Sequence, residues 1–98
     1  MAYIELGKFK LKAGVSEQAL LDAEHGIQNG RIRQQPGYLG RELGRGENGD
    51  WLIIIRWEKK EDGEAWSPIF MQDPQAQALM ATMDFATMRQ EHFTVATA

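Results

Sequence analysis

The sequence predicts one α+β domain in which an antiparallel four-stranded sheet carries two helices on one face, in the order β-α-β-β-α-β. Three observations predict it. Gln35-Pro36-Gly37-Tyr38 stops a helix and opens a strand, because proline forces the residue before it out of the α region. Trp51-Leu52-Ile53-Ile54-Ile55-Arg56-Trp57 reads as a strand apolar on both faces. Asp73-Pro74 joins an N-cap to proline at the first helical position, so a helical stretch begins there before the last strand.

Residues 3–12 alternate as a first strand, with Tyr3, Phe9 and Leu11 on one parity and Ile4, Leu6 and three lysines on the other. After the turn at Ala13-Gly14-Val15, Ser16 is an N-cap for a helix from about Glu17 to Gln34. Two apolar stripes run along it: Ala19, Leu20, Ala23 and Ile27, then Leu21, His25 and Ile32. Two stripes imply two neighbours. Asn29-Gly30 weakens its last turns.

Strand two is expected from Tyr38 to Arg45 and is joined to strand three by a hairpin at Gly46-Glu47-Asn48-Gly49-Asp50. A charged connection, Lys59 to Gly63, leads to a second helix around Glu64-Ala65-Trp66, where Pro68 marks a kink or a new first turn. Ala76, Leu79, Met80 and Met83 then fall on one face of a short helix. The last strand is expected over about Thr87 to Val95, with Met88, Gln90 and His92 opposite Arg89, Glu91, Phe93 and Val95.

This order is the ferredoxin-like pattern. Its second sheet face has no chain left to cover it. A patch containing half of strand three is more apolar surface than a monomer usually exposes, so a homodimer packed sheet to sheet is expected.

Composition bounds the rest. The 98 residues make one domain, 1–98, with one modest core. A net charge of -3 with interspersed signs provides no basic face for nucleic acid. No cysteine means no disulfide, thiol nucleophile or thiolate metal site. No run approaches a membrane span, and a soluble cytoplasmic protein is the default. No phosphate loop, metal-ligand cluster, Ser/His/Asp set or carboxylate pair is visible; the glycines of 44–49 sit in a hairpin with no helix behind them to receive phosphate.

The whole chain, from about Tyr3 to Val95, resembles the dimeric α/β-barrel superfamily, and within it the antibiotic-biosynthesis-monooxygenase-like domains. The resemblance is carried by Lys10-Leu11-Lys12-Ala13-Gly14, Gln35-Pro36-Gly37-Tyr38, Arg41-Glu42-Leu43, Trp51…Arg56-Trp57-Glu58 and Glu61-Asp62-Gly63-Glu64-Ala65-Trp66. These are helix-stop, hairpin and packing residues, so they imply the fold more than an activity. The superfamily includes cofactor-independent oxygenases of quinols and polyketide aromatics, haem-degrading enzymes and isomerases. The haem-degrading branch is similar at Trp66 but departs at its first-strand Asn, where this chain has Gly7, and at its His, where it has Ala76. The departures count against haem degradation and leave His25 or His92 as the only available haem ligands. The resemblance therefore implies a cofactor-independent monooxygenase of an electron-rich aromatic; the alternative is a non-catalytic dimeric module for a hydrophobic small molecule or partner protein.

The candidate catalytic residues are His92 and Trp66. A histidine titrates near neutrality and can act as a general base, although no carboxylate is spaced in the sequence to orient it and Glu91 points the other way. Trp66 fills helix–sheet space on the plain reading; on the functional one its ring orients a flat substrate. Trp66, Phe70, Met80, Met83 and Arg41 are the expected ligand-binding residues. Arg41, Arg45 and Arg56, balanced by Glu5, Glu42 and Glu58, read first as cross-strand pairs. The methionines (Met71, Met80, Met83 and Met88) suggest an adaptable apolar wall. The site requires the parity of His92 to face the helices; the more apolar Phe93 and Val95 compete for that side.

Overall fold

The computed structural model describes residues 1–98. Four strands, β1 (Tyr3–Leu11), β2 (Tyr38–Arg45), β3 (Asp50–Trp57) and β4 (Met83–Thr94), form one sheet in the order β2-β3-β1-β4. Every neighbouring pair is antiparallel. Helices α1 (Glu17–Gln28), α2 (Lys60–Met71) and α3 (Pro74–Met80) complete a ferredoxin-like β-α-β-β-α-α-β arrangement. No helix is long and apolar enough to cross a membrane.

Register explains which residues are inside. Tyr3, Gly7 and Phe9 of β1 lie opposite Trp57, Ile53 and Trp51 of β3, and directly opposed residues share a face. That face meets the helices. Phe9, Trp51, Ile53, Ile55 and Trp57 are buried there with Leu20 and Ile27 of α1, Trp66 of α2 and Leu79 of α3. The opposite face presents Ile4, Leu6, Leu52 and Ile54, all partly exposed, beside Phe93 at 48% exposure. Nothing in the chain covers it.

Three helix boundaries differ from the sequence expectation, and β4 runs from Met83 to Thr94 rather than from about Thr87 to Val95. Helix α1 ends at Gln28 rather than Gln34, because Asn29 leaves helical geometry and its side chain caps the His25 carbonyl at 3.0 Å; a 3-10 turn over Arg31–Gln34 follows and buries Ile32. Helix α2 begins at Lys60, so the charged connection is its first turn, where Glu61 and Asp62 suit the helix dipole. Pro68 stays inside that helix. Helix α3 ends at Met80, and Met83 belongs to β4 instead of the helix face, since Thr82 closes the turn by donating to the Leu79 carbonyl at 2.6 Å.

Two local devices shape the site. Gly37 has φ +78°, and Asp62 occupies the space a Cβ would need, so only glycine turns the chain there. The second is a large irregularity in β4. Lys8 pairs with Arg89 and Lys10 with Asp84, leaving Phe9 alone opposite Phe85, Ala86, Thr87 and Met88. The looped segment satisfies itself: Ala86 N–H donates to Asp84 Oδ1 at 3.1 Å, and Thr87 Oγ1 accepts from the Lys10 N–H at 2.9 Å. Such bulges re-aim side chains.

Candidate functional site

Between the helix-side sheet face and α2–α3 lies a cavity of about 300 Å³, at the small end of the range for small-molecule sites. Its floor is Glu5 and Gly7 of β1 with Ile53 and Ile55 of β3. Helices α2 and α3 supply Trp66, Phe70, Met71, Leu79 and Met80. The bulged β4 supplies Met83, Phe85, Met88, Gln90 and His92, although Phe85 and Met88 differ in parity. The bulge therefore gives the methionine wall its continuity. Met71 and Phe85 are more than half exposed and flank the opening.

The parity question is settled by register. His92 lies opposite Glu5, whose neighbour on the other side is Ile55, so His92 faces the helices while Phe93 faces outward. Its ring stacks on Tyr3 with centroids 5.9 Å apart and planes 15° from parallel. The same pairing corrects the expectation that no carboxylate stands beside His92. Glu5 does, and burial raises its pKa above the ordinary carboxyl range, with His92 and Arg41 offsetting part of the rise. Tyr3 is also pushed up, chiefly by burial and then by Glu5 and Glu64.

Trp66 is 4% exposed and lies against Phe70 with ring centroids 5.9 Å apart. Phe70 and Met80 join it on the cavity wall from the helices, and Met83 does so from β4 rather than from the helix face expected for it. Arg41 reaches the same wall but is already occupied. Its Nε and Nη2 donate to Glu24 of α1 at 2.8 and 3.0 Å, with the two side chains 3% and 2% exposed. Gln28 adds a hydrogen bond to Glu24 at 2.9 Å, and the guanidinium lies 5.9 Å from the Phe70 ring centre. The cross-strand expectation for the arginines thus needs correcting. Arg41 and Arg45 pair with Glu24 and Glu17 of α1, and only Arg56 makes an ion pair with a neighbouring strand, at Glu42.

The remaining candidates fall elsewhere. His25 lies outside the cavity, on a shallow polar groove with Gln28 and Glu42. Gly7 is on the cavity floor, where a side chain would meet only the Met88 sulfur, at 3.8 Å. Ala76 is buried in α3 and does not line the cavity. Glu5 is the residue sequence reading missed. The available signal was a lone carboxylate between Ile4 and Leu6 at mid-strand, on the parity of Tyr3 and Phe9.

No protein-family model matches the sequence, and no curated protein matches it. Solved structures do match the fold. A mutant of SnoaB, a cofactor-independent oxygenase from Streptomyces nogalater, superposes with a TM-score of 0.78 at 18% identity, covering 99% of this chain and 95% of that one. A dimeric ferredoxin-like protein of unknown function from Jannaschia sp. CCS1 gives 0.73 at 12% identity, covering 97% of this chain and 100% of that one. A Bacillus cereus protein assigned by name to the antibiotic biosynthesis monooxygenases gives 0.66 at 18% identity, covering 99% and 95%. Several structural neighbours thus carry the antibiotic biosynthesis monooxygenase name, and this chain shares their ferredoxin-like fold along nearly its whole length.

Proposed function

We propose that the protein is a cofactor-independent monooxygenase acting on a small electron-rich aromatic, a quinol or a polyketide-like ring. The observation that carries this reading is the cavity itself, apolar on most of its wall with a basic imidazole and a carboxylate at one end. An apolar site favours a flat neutral substrate and excludes water. Trp66 and Phe70 offer ring faces to stack on, and the methionines adapt to its outline.

The chemistry needs one protein base. In an anthrone-like substrate, His92 takes a proton from the activated methylene. The resulting carbanion passes an electron to molecular oxygen, and recombination forms a carbon–oxygen bond and a hydroperoxide. Loss of water leaves a carbonyl. One oxygen atom ends in the product, and the other leaves with the two methylene hydrogens. Trp66 acts here as a ring-stacking residue.

The assembly proposed with this activity is a homodimer closed through the open sheet face, into the α/β barrel implied by the resemblance. The Jannaschia neighbour is dimeric, and the face carrying Ile54, Leu52 and Phe93 is uncovered. Sedimentation at micromolar concentration should give twice the chain mass for the wild type and a monomer for Ile54→Lys; a wild-type monomer would refute the assembly.

Oxygen uptake with a panel of hydroquinones and anthrones tests the activity. The wild type should consume oxygen with at least one, and His92→Ala should lose about 10²–10⁴-fold in rate, the usual worth of a general base. Saturable binding of these compounds without any uptake would favour a non-catalytic binding module.

A further inference from the structure

Glu5 on the cavity floor and, behind it, Gly63 and Trp57 are three features that packing alone does not require. The first is Glu5. It sits on a floor of isoleucine, half-buried, with no lysine or arginine in ion-pair contact. A carboxylate in such a place is costly unless something uses it.

The second is Gly63, buried within α2 although glycine is a poor helix former. A Cβ there would stand 2.5 Å from Glu5 Oε1 and 3.0 Å from Trp57 Cδ1. The first is closer than packed atoms approach and the second is tighter than most, so the missing side chain makes a notch in which the carboxylate lies against the helix.

The third is Trp57. Its indole N–H is the one buried side-chain polar atom left without a partner, and Nε1 would be 3.2 Å from that same Cβ position. A buried donor without an acceptor is costly. The Glu5 carboxylate, across the same notch, is the nearby group chemically suited to accept from it.

We infer that Glu5 is the positioning residue for His92: seated in the Gly63 notch beside the Trp57 N–H, it faces the imidazole across the β1–β4 pair and, through space rather than by a direct bond, supports its charge while it holds the substrate proton. This rests on the proposed reaction. The proton goes from substrate carbon to imidazole nitrogen and leaves later with the departing water, and Glu5 stays ionised throughout. Other charged or titratable groups acting on this corner are Arg41 of β2, committed to Glu24, Tyr3 of β1 and Glu64 of α2. None replaces Glu5 in register opposite His92.

Two measurements test it, one independent of turnover. Carboxyl carbon NMR should show Glu5 titrating above the ordinary glutamate range, and His92→Gln should move that midpoint further up because a favourable neighbour is lost. A Glu5 midpoint indifferent to His92→Gln overturns the pairing, whether or not the protein consumes oxygen. On a substrate that supports uptake, Glu5→Gln should lower kcat by about tenfold or more with little change in KM. It should also remove one ionisation from the acidic limb of kcat/KM, whose slope approaches about two in the wild type. Glu5→Asp should recover part of the rate. Gly63→Ala should reproduce the loss by expelling the carboxylate, and the near-isosteric Glu5→Gln guards against a misfolded result. Unchanged kcat and pH profile in Glu5→Gln would overturn the inference and leave the proposed reaction standing. A wild type without uptake would defeat that reaction, and the NMR result would still decide the pairing.

Discussion

Two acid–base pairs reach the same cavity, the first through Arg41 alone, and they are built in opposite ways. Arg41 and Glu24 are sealed, joined by two short hydrogen bonds, with Gln28 satisfying the carboxylate further. Glu5 and His92 face each other across adjacent strands without a direct bond, one half-buried and the other exposed at the cavity rim. A fully satisfied buried pair specifies where α1 docks on β2 and has little left to offer a ligand. A pair with free valence, open to the cavity, can accept a proton and return it. The difference separates a structural pair from a working one more clearly than residue type does.

Cutting the sealed pair should have the largest effect. Glu24→Ala leaves Arg41 charged and buried without a partner, which should cost about 3–5 kcal/mol in urea unfolding. Replacing both, as Glu24→Leu with Arg41→Met, should recover most of that loss, because the desolvation penalty disappears along with the attraction. If Glu24→Ala costs no more than an exposed substitution, the pair is not the sealed lock described.

Substitution at the open pair should have the opposite sign. The folded pKa of Glu5 is raised above its unfolded value, mainly by burial. A carboxyl of that kind weakens the fold as pH rises through its unfolded and then its folded pKa. Glu5→Gln should therefore raise Tm at neutral pH, with the gain fading at pH below the ordinary glutamate range. A lower Tm at neutral pH would show that Glu5 serves stability after all.

The surface supplies the smallest effect and a sign control. Asp50 at the hairpin is held below the usual aspartate range, first by its hydrogen bond from Lys10 and also by Lys8, 3.0 and 3.6 Å away. Its contribution is present above the unfolded pKa and is lost as pH falls through the folded one. Asp50→Asn should lower Tm slightly at neutral pH and not at strongly acidic pH, and added salt should shrink the difference.

The fold was legible because its signals are local. Pro36 and Gly37 stop the helix, Asn48-Gly49 turns the hairpin, and Trp51 to Trp57 alternates within a strand apolar on both sides. The end of α1 was equally local, yet the apolar position of Ile32 disguised it: the residue is buried from a 3-10 turn rather than from the helix. The site was legible only in part. Trp66, Phe70 and Met80 follow helical spacing into the cavity, but the partner of His92 depends on how β4 is registered against β1. That register is set by the Phe85–Met88 irregularity, a tertiary feature held by Thr87 and Asp84. The partner of Arg41 was hidden for the same reason, since Glu24 lies on a helix that only the folded chain brings alongside β2.

Small aromatics that bind in the cavity between the sheet and α2–α3 must touch its methionines. Of the five in the chain, Met71, Met80, Met83 and Met88 line the cavity and Met1 does not. Methyl NMR of methionine-labelled wild-type protein, titrated with an anthrone, should shift the four cavity methyls along one saturating curve and leave Met1 in place. Saturable binding by calorimetry with those four methyls unmoved would place the aromatic site outside this cavity.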